Sequence, residues 1–253
     1  MYLLESCAVA FSMYSKIPMP RVEWNEKNMK YAMCFFPVIG AVIGALEILL
    51  GNLLLKSGVG SLFFAAAMTL LPILVTGGIH MDGFMDTMDA ISSYGDREKK
   101  LAILKDSNSG AFAILGLGCY FLWSLAVWSE ASAKMFPVIA CGYVLSRSFS
   151  GFSIVTFQAA RNSGLARTFQ DGAKRKNVRI VMVIYLMVFS LLILWLNPAY
   201  GAAALVFAVL VFLYYRRLCD RQFGGVTGDL AGYFLQISEL AMLTGIVLAG
   251  KLL

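Results

Sequence analysis

The chain has 253 residues, of which 59% are hydrophobic and only 14% are charged, and its mean hydropathy is +0.74. Soluble domains carry about 25% charged residues, so this composition excludes a soluble globular fold, and it equally excludes a disordered chain. The net charge is +6, but no basic helix with interleaved aromatic residues is present, so no nucleic acid partner is expected. The composition predicts one polytopic domain over residues 1–253, an all-α integral membrane bundle in a lipid bilayer.

Seven apolar runs bounded by charged residues, Gly or Pro predict about seven transmembrane helices. In chain order they cover residues 37–55, 61–76, 111–128, 135–157, 180–196, 199–215 and 230–250. A helix needs about 20 residues to cross a bilayer, so the short second run is predicted to end inside the membrane. Only Asn197 and Pro198 separate the fifth and sixth runs, which leaves a tight hairpin and one long broken helix as alternatives. Residues 1–17 are predicted to form an interfacial amphipathic helix.

The distribution of basic residues predicts how the bundle is oriented. Of the Lys and Arg residues outside the seven runs, 17 lie in segments on the side of the N-terminus and 3 lie on the other side. Because Lys and Arg accumulate in cytoplasmic loops, the N-terminus and the three long loops are expected to face the cytoplasm. The expected location is therefore the cytoplasmic (inner) membrane, with the polar, functional loops on its cytoplasmic side.

The most informative segment is TGGIHMDGFMDTMDAISSYGD, residues 76–96. A helix from about His80 to residue 92 would place Asp82, Asp86 and Asp89 at i, i+4 and i+7, within about 60° of one another at about 100° per residue. Three carboxylates on one stripe repel each other, so a cationic group is expected to compensate them. The sequence thus predicts a carboxylate-bearing helix on the cytoplasmic side of the bundle.

A divalent ion is the natural compensator for these aspartates. Six of the 15 acidic residues fall between residues 82 and 106, and the five cysteines are scattered without pairing, so the donors are oxygens rather than thiols. Such a set suits Mg²⁺ or Mn²⁺ better than zinc, and Mg²⁺ commonly bridges carboxylates to substrate phosphates. A magnesium site formed by Asp82, Asp86 and Asp89, with a diphosphate-bearing substrate, is therefore predicted. The alternative is an ordinary solvated face of an amphipathic helix.

Neighbouring residues supply further candidates for this site. His80 is the only histidine, and it is either a hydrogen-bonding partner or a residue with a direct catalytic or binding role. Gly77 and Gly78 allow close backbone approach and could present N–H groups to phosphate. Lys105 and Asp106 are predicted to lie in a loop that contacts phosphate or closes the site, unless this loop simply leads into the next span.

Three candidates lie further along the chain. Arg147 falls in the middle of a span, where it is predicted to bind a substrate phosphate, with an ion pair to Glu47 or Glu239 as the alternative. Arg161 is predicted either to bind phosphate or to serve only as an orientation charge. Asp229 follows a Gly-rich stretch before the last span, where it could be a second metal ligand or orient a hydroxyl group, although the glycines could merely allow close helix packing.

The motifs TGGIHMDGFMDTMDA and KDSNSGAF together resemble the adenosylcobinamide-GDP ribazoletransferase family, also called cobalamin (5'-phosphate) synthases. The similarity extends in order along nearly the whole chain, through FSMYSKIPMP, FFPVIGAVIG, SRSF, ARNSGLA, and GGVTGD with Glu239. Three positions depart from the family pattern: Lys16 stands where Arg is common, and Asn162 and Ser163 stand where Pro-Glu is usual.

This resemblance implies a membrane enzyme that joins adenosylcobinamide-GDP to α-ribazole, or to α-ribazole 5'-phosphate. The products would be adenosylcobalamin, or its 5'-phosphate, and GMP, with Mg²⁺ as cofactor. It implies that Asp82, Asp86 and Asp89 hold the metal and that one aspartate accepts the hydroxyl proton. A homo-oligomer is compatible with the sequence, which does not fix the number of subunits.

Two other functions are weighed against this one. A CDP-alcohol-type lipid phosphotransferase shares the aspartate stripe, but its motif requires Ala-Arg where Met85 and Asp86 stand here. A cation-coupled membrane transporter would be expected to carry acids near several span centres within a repeated architecture. Here most acids gather at one face, which favours the ribazoletransferase.

Overall fold

The computed structural model of the protein describes residues 2–161 and 174–252. In these two stretches the regular structure is helical, apart from one isolated β-bridge between Ala159 and Val226. Six of the described helices are long and apolar enough to cross a membrane, and a bent pair of shorter helices forms either a broken seventh span or a re-entrant loop. The prediction of an all-α membrane bundle is confirmed.

The helices match the predicted apolar runs to within a few residues at each end. They are α1 (Tyr2–Tyr14), α2 (Glu26–Met29), α3 (Phe36–Lys56), α4 (Ser61–Thr76), α5 (Ile79–Ser92), α6 (Arg97–Ile103), α7 (Ala111–Ser129), α8 (Phe136–Thr156), α9 (Arg175–Leu196), α10 (Pro198–Leu218) and α11 (Gly228–Leu252). A π-helical turn, Cys219–Phe223, extends α10 toward the loop before α11. The agreement follows from length and composition, because a run that must cross the bilayer has to satisfy its backbone groups within one helix.

The second run does not cross the membrane as one straight helix. Helix α4 ends at Thr76 and is followed by Gly77 and Gly78. The φ angles of these two glycines, 66° and 80°, lie in the left-handed region that favours glycine. The chain turns there, and α5 leaves at 99° to α4. This double-glycine turn directs the carboxylate helix across the bundle instead of along it.

Helix α8 occupies the centre of the bundle. It packs against α3, α9 and α11, and 89% of its most apolar window is buried, compared with 17% for α9. Small residues allow the close approach: a Cβ atom added at Gly44 of α3 would lie 2.7 Å from the carbonyl oxygen of Ala140. Polar groups carried by α8 are therefore shielded from lipid.

Helices α9 and α10 form a tight hairpin, which resolves the alternatives left open by the sequence. The Asn197 side chain caps α10 by accepting a hydrogen bond from the Tyr200 N–H at 3.0 Å. A Cβ atom at Gly201 would lie 2.6 Å from the carbonyl oxygen of Ile193, so the two helices fold back against each other. Both helices present most of their surface to the lipid side of the bundle.

The N-terminal segment is helical, as predicted, and it is two-sided. Leu3 and Leu4 of α1 are exposed, whereas Val9, Phe11 and Tyr14 are buried against the bundle. Helix α1 packs on α2 and α3 and on the short 3-10 turn Ala32–Phe35. The last turn of α1 thereby reaches the carboxylate helix.

Candidate active site

The site is built on a close contact between α5 and the start of α11. Two glycines make this contact: a Cβ atom at Gly83 would lie 2.8 Å from the carbonyl oxygen of Asp229, and one at Gly232 would lie 3.0 Å from that of His80. A larger side chain at either position would force the helices apart. The glycine contact brings Asp229 next to the helix that carries Asp82.

A cavity opens beside this contact. It has a volume of about 670 Å³ including its mouth, and both Asp82 and Asp229 line it. Its other lining residues come from α1, α3, α5, α8 and α11 and the turn before α3: Tyr14, Met33, Phe36, Ile79, His80, Ser150, Ile154, Gly228, Ala231, Gly232 and Leu235. Since Asp82 is exposed, the carboxylates mark the end of the cavity that opens to water.

Negative charge is concentrated around Asp86, which lies one turn after Asp82 on α5. Asp86 is partly buried, and Asp82, Asp229, Asp89 and Asp106 all lie close enough to interact with its charge. The acidic cluster is larger than the predicted stripe, because it also includes Asp106 from the loop after α6 and Asp229 from α11.

Arg161 supplies positive charge at this cluster. It lies close enough to Asp229 to interact electrostatically, and its guanidinium group donates a hydrogen bond to the carbonyl of Leu101 at the end of α6. Backbone bonds tie the two segments together, since the Val226 N–H donates to Gln158 at 2.8 Å and the Ala160 N–H donates to Val226 at 3.0 Å. The glycine-rich loop before α11 thus positions Arg161 beside the carboxylates.

Asp89 has a role that the sequence did not reveal. Its carboxylate accepts hydrogen bonds from the N–H groups of Gly110 and Ala113, the second at 2.8 Å, and so caps the N-terminus of α7. A Cβ atom at Gly110 would lie 2.7 Å from the Asp89 carboxylate, which explains glycine at this position. Both oxygens of Asp89 are thus engaged in holding α7.

The fit of these residues to a magnesium ion can be judged from their chemistry and spacing. Within residues 2–161 and 174–252, no three His, Cys, Asp or Glu side chains form a ready-made coordination group. Mg²⁺, however, is usually held by one or two carboxylates with water and substrate phosphates completing the octahedron. Asp82 and Asp86, with Asp229 beside them, are oxygen donors of that kind. The donor chemistry fits Mg²⁺, although Asp89 is occupied elsewhere.

His80 lies at the inner side of the carboxylates. The His80 side chain is buried, and burial disfavours the charged form of an imidazole. Its ring stacks on Tyr14 at 6.0 Å between centroids and meets Phe36 edge-on at 5.8 Å. The Nε2 atom is buried and has no hydrogen-bond partner in the described part of the chain. A neutral, aromatic-packed histidine is better suited to binding than to carrying charge.

Arg147 forms an ion pair with Glu239, which was the alternative to phosphate binding. The side chain is buried, and Nη1 lies 2.6 Å from Oε1 of Glu239 and donates to the Tyr143 carbonyl at 3.1 Å. Ser146 donates to the same oxygen of Glu239 at 2.8 Å. The structural ion pair is present, and phosphate binding by Arg147 stays a prediction.

The glycine pair and the loop after α6 are placed as follows. The N–H groups of Gly77 and Gly78 donate to the carbonyls of Leu74 and Ile73, at 3.3 and 3.0 Å, so these N–H groups serve the turn instead of facing phosphate. Lys105 and Asp106 lie on an exposed loop. The carboxylate of Asp106 accepts hydrogen bonds from Asn108, which lower its pKa.

Several residues of the cavity gave no signal in the sequence. Tyr14, Phe36 and Ser150 come from three helices far apart in the chain, and each resembles an ordinary core residue in its own segment. Thr227 was also missed, although it caps α11 by accepting the Leu230 N–H at 3.1 Å. Its place before an apolar run could have indicated a helix cap.

Comparison with known proteins agrees with the motifs. Residues 6–247 match the family described as Cobalamin-5-phosphate synthase. The chain belongs to this family. The adenosylcobinamide-GDP ribazoletransferase of Lachnoclostridium phytofermentans is 47% identical over 249 residues, which cover 97% of this chain and 94% of that protein. The protein of the same name from Clostridium perfringens strain 13 is 34% identical over 96% of both chains.

A more distant relative of the same name, from Geobacillus thermodenitrificans, is 32% identical over 94% of this chain and 93% of that protein. No solved structure matches the chain. The family and its relatives support the predicted ribazoletransferase reaction in cobalamin synthesis, and they support neither a CDP-alcohol phosphotransferase nor a transporter. The roles of individual site residues stay predictions.

Proposed function

We propose that this member of the cobalamin-5-phosphate synthase family transfers the adenosylcobinamide phosphate group of adenosylcobinamide-GDP to α-ribazole, or to its 5'-phosphate, at the mouth of the cavity between α5 and α11. The observation that carries this assignment is the junction of Asp82 and Asp229 at one opening, with Asp86 and Arg161 beside it. Family membership supports the reaction, and this junction supports our proposal of where it occurs.

The transfer needs no covalent enzyme intermediate. The ribose 3'-hydroxyl oxygen attacks the phosphorus that bears the cobinamide, the bond from this phosphorus to the bridging oxygen breaks, and GMP leaves with the electron pair. The hydroxyl proton passes to a carboxylate. We assign this role to Asp229, whose Oδ2 is within 3.4 Å of the Thr227 hydroxyl and whose charge is balanced by Arg161.

We further propose that Mg²⁺ is the cofactor and that Asp82 and Asp86 hold it. When bound, Mg²⁺ would neutralise the diphosphate and the charge that develops on the departing GMP. Arg161 adds a positive charge beside Asp229, and a guanidinium group is suited to binding phosphate oxygens. Asp89, which was predicted as a third ligand, contributes by fixing the start of α7 next to the site.

The orientation proposed from the basic residues suits this chemistry. In this orientation the protein lies in the inner membrane, and the N-terminus and the loops around α5 and α6 face the cytoplasm. The carboxylates then face the compartment that contains nucleotides and Mg²⁺. The corrinoid substrate and GMP would then enter and leave from the cytoplasmic side.

The direct test measures GMP formed by the purified protein in liposomes from adenosylcobinamide-GDP and α-ribazole. GMP is expected when Mg²⁺ is present and not after EDTA treatment, and added Mg²⁺ should restore it. Formation of the corrinoid product in equal amount would confirm the transfer. Full GMP release in EDTA would overturn the magnesium proposal, and no GMP under any condition would overturn the reaction.

A further inference from the structure

We infer that the cavity between α1, α3, α5, α8 and α11 is the pocket for the base of the nucleoside acceptor, with His80 as the residue that recognises it. This inference rests on the proposed function, because it names which of the two substrates enters the cavity. The inference adds a pocket that selects the nucleoside to the charged groups that we assign to the transfer.

The composition of the cavity walls selects an uncharged, aromatic occupant. Apart from its carboxylate end, the lining is mainly apolar, with Met33, Ile154 and Leu235 among its residues. Its volume of about 670 Å³ includes the open mouth, so the enclosed space is smaller than this figure. A corrin ring with its side chains is far larger than a nucleoside base, so the cobinamide portion does not fit this space.

The negative charge at the mouth of the cavity excludes the diphosphate portion of adenosylcobinamide-GDP. Asp82 and Asp229 line the opening, and an anionic diphosphate drawn past both carboxylates into an apolar space would be repelled and desolvated. Ribose hydroxyl groups, in contrast, are hydrogen-bond donors that carboxylates accept. A nucleoside therefore enters base first and leaves its ribose at the two aspartates, where the proposed transfer occurs.

Three rings form the aromatic part of the pocket. Tyr14 and Phe36 lie 4.6 Å apart between centroids, and His80 packs against both. Stacking on aromatic side chains is a common way for proteins to hold a nucleoside base, and each stacked base contributes about 1–3 kcal/mol. The pocket therefore offers ring surfaces where a planar base can lie.

His80 supplies the polar contact that a benzimidazole nucleoside requires. The base of α-ribazole has two ring nitrogens; one is bonded to ribose and the other is free to accept a hydrogen bond. His80 is 5% exposed, and its Nε2 has no partner among the described residues. A buried polar atom without a partner is costly, so a ligand acceptor at this position would satisfy it.

The first test fills the pocket without touching the carboxylates. Ala231 lines the cavity, and Ala231→Leu should raise the KM for α-ribazole at least tenfold while the KM for adenosylcobinamide-GDP changes less than twofold. Ala41→Leu is the matched control, because Ala41 lies on the exposed side of α3. Equal changes in both KM values, or none, would overturn the pocket assignment.

The second test needs no variant. Because the chain contains a single histidine, a protein labelled with ¹⁵N-histidine and purified without a polyhistidine tag gives imidazole signals from His80 alone. Adding α-ribazole should shift the Nε2 resonance, whereas GMP should leave it in place. An unchanged resonance at α-ribazole concentrations that saturate turnover would overturn the inference and leave the proposed reaction standing, since that reaction is judged by GMP release.

Discussion

Two groups of charged residues in this protein differ in how their charges are balanced. At the mouth of the cavity, Asp82, Asp86 and Asp229 crowd together with Arg161 as a nearby positive charge. In the centre of the bundle, Arg147 and Glu239 form a close pair at 2.6 Å that is shielded from lipid. The first group has excess negative charge that a ligand can neutralise, whereas Arg147 and Glu239 of the second group are each other's partners. The imbalance, rather than the presence of charge, marks the place for chemistry.

The largest effect is expected from Asp82→Asn, which removes charge from the unbalanced group. The substitution keeps the size of the side chain but loses a proposed metal ligand, so GMP release should fall by about three orders of magnitude. Asp220→Asn is the matched control, because Asp220 is exposed and pairs with Arg216, four residues earlier in the chain. Undiminished turnover of Asp82→Asn, with normal membrane insertion, would contradict the metal site.

A large effect of a different kind is expected from Arg147→Met. Removing one partner of the buried pair leaves Glu239 uncompensated and should lower the free energy of unfolding by about 3–5 kcal/mol. Thermal unfolding in detergent measures this loss, and a second substitution, Glu239→Leu, should recover most of it. Normal stability combined with a raised KM for adenosylcobinamide-GDP would instead show that Arg147 binds phosphate and belongs with the first group.

The smallest effect is expected from Asp89→Ala, which tests whether Asp89 caps α7 or binds the metal. Losing the cap should cost about 1 kcal/mol of stability and reduce GMP release less than tenfold. Asp96→Ala provides a comparison, because Asp96 caps α6 by accepting the Lys99 N–H at 2.9 Å. If activity falls as far as in Asp82→Asn while stability changes as in Asp96→Ala, Asp89 is a ligand after all.

Much of the fold could be predicted from the sequence, but the site only in part. The apolar runs gave the long helices, and the spacing of Asp82, Asp86 and Asp89 gave a helix with its acids on one stripe. The capping role of Asp89 could not be predicted, because it depends on where the loop ending at Gly110 returns to α5. The pocket around His80 was equally hidden, since its walls come from segments that each resemble membrane core.

The sequence by itself determined which segments form helices, the class of the fold and, through its motifs, the family of the protein. These properties follow from local quantities: the length of an apolar run and the rotation per residue along one helix. Tertiary structure alone decided that Asp229 meets Asp82, that Arg147 faces Glu239 and that a cavity remains beside His80. Those contacts depend on which helices approach closely, and small residues such as Gly83 and Gly232 permit that approach only when the opposing backbone is already in place.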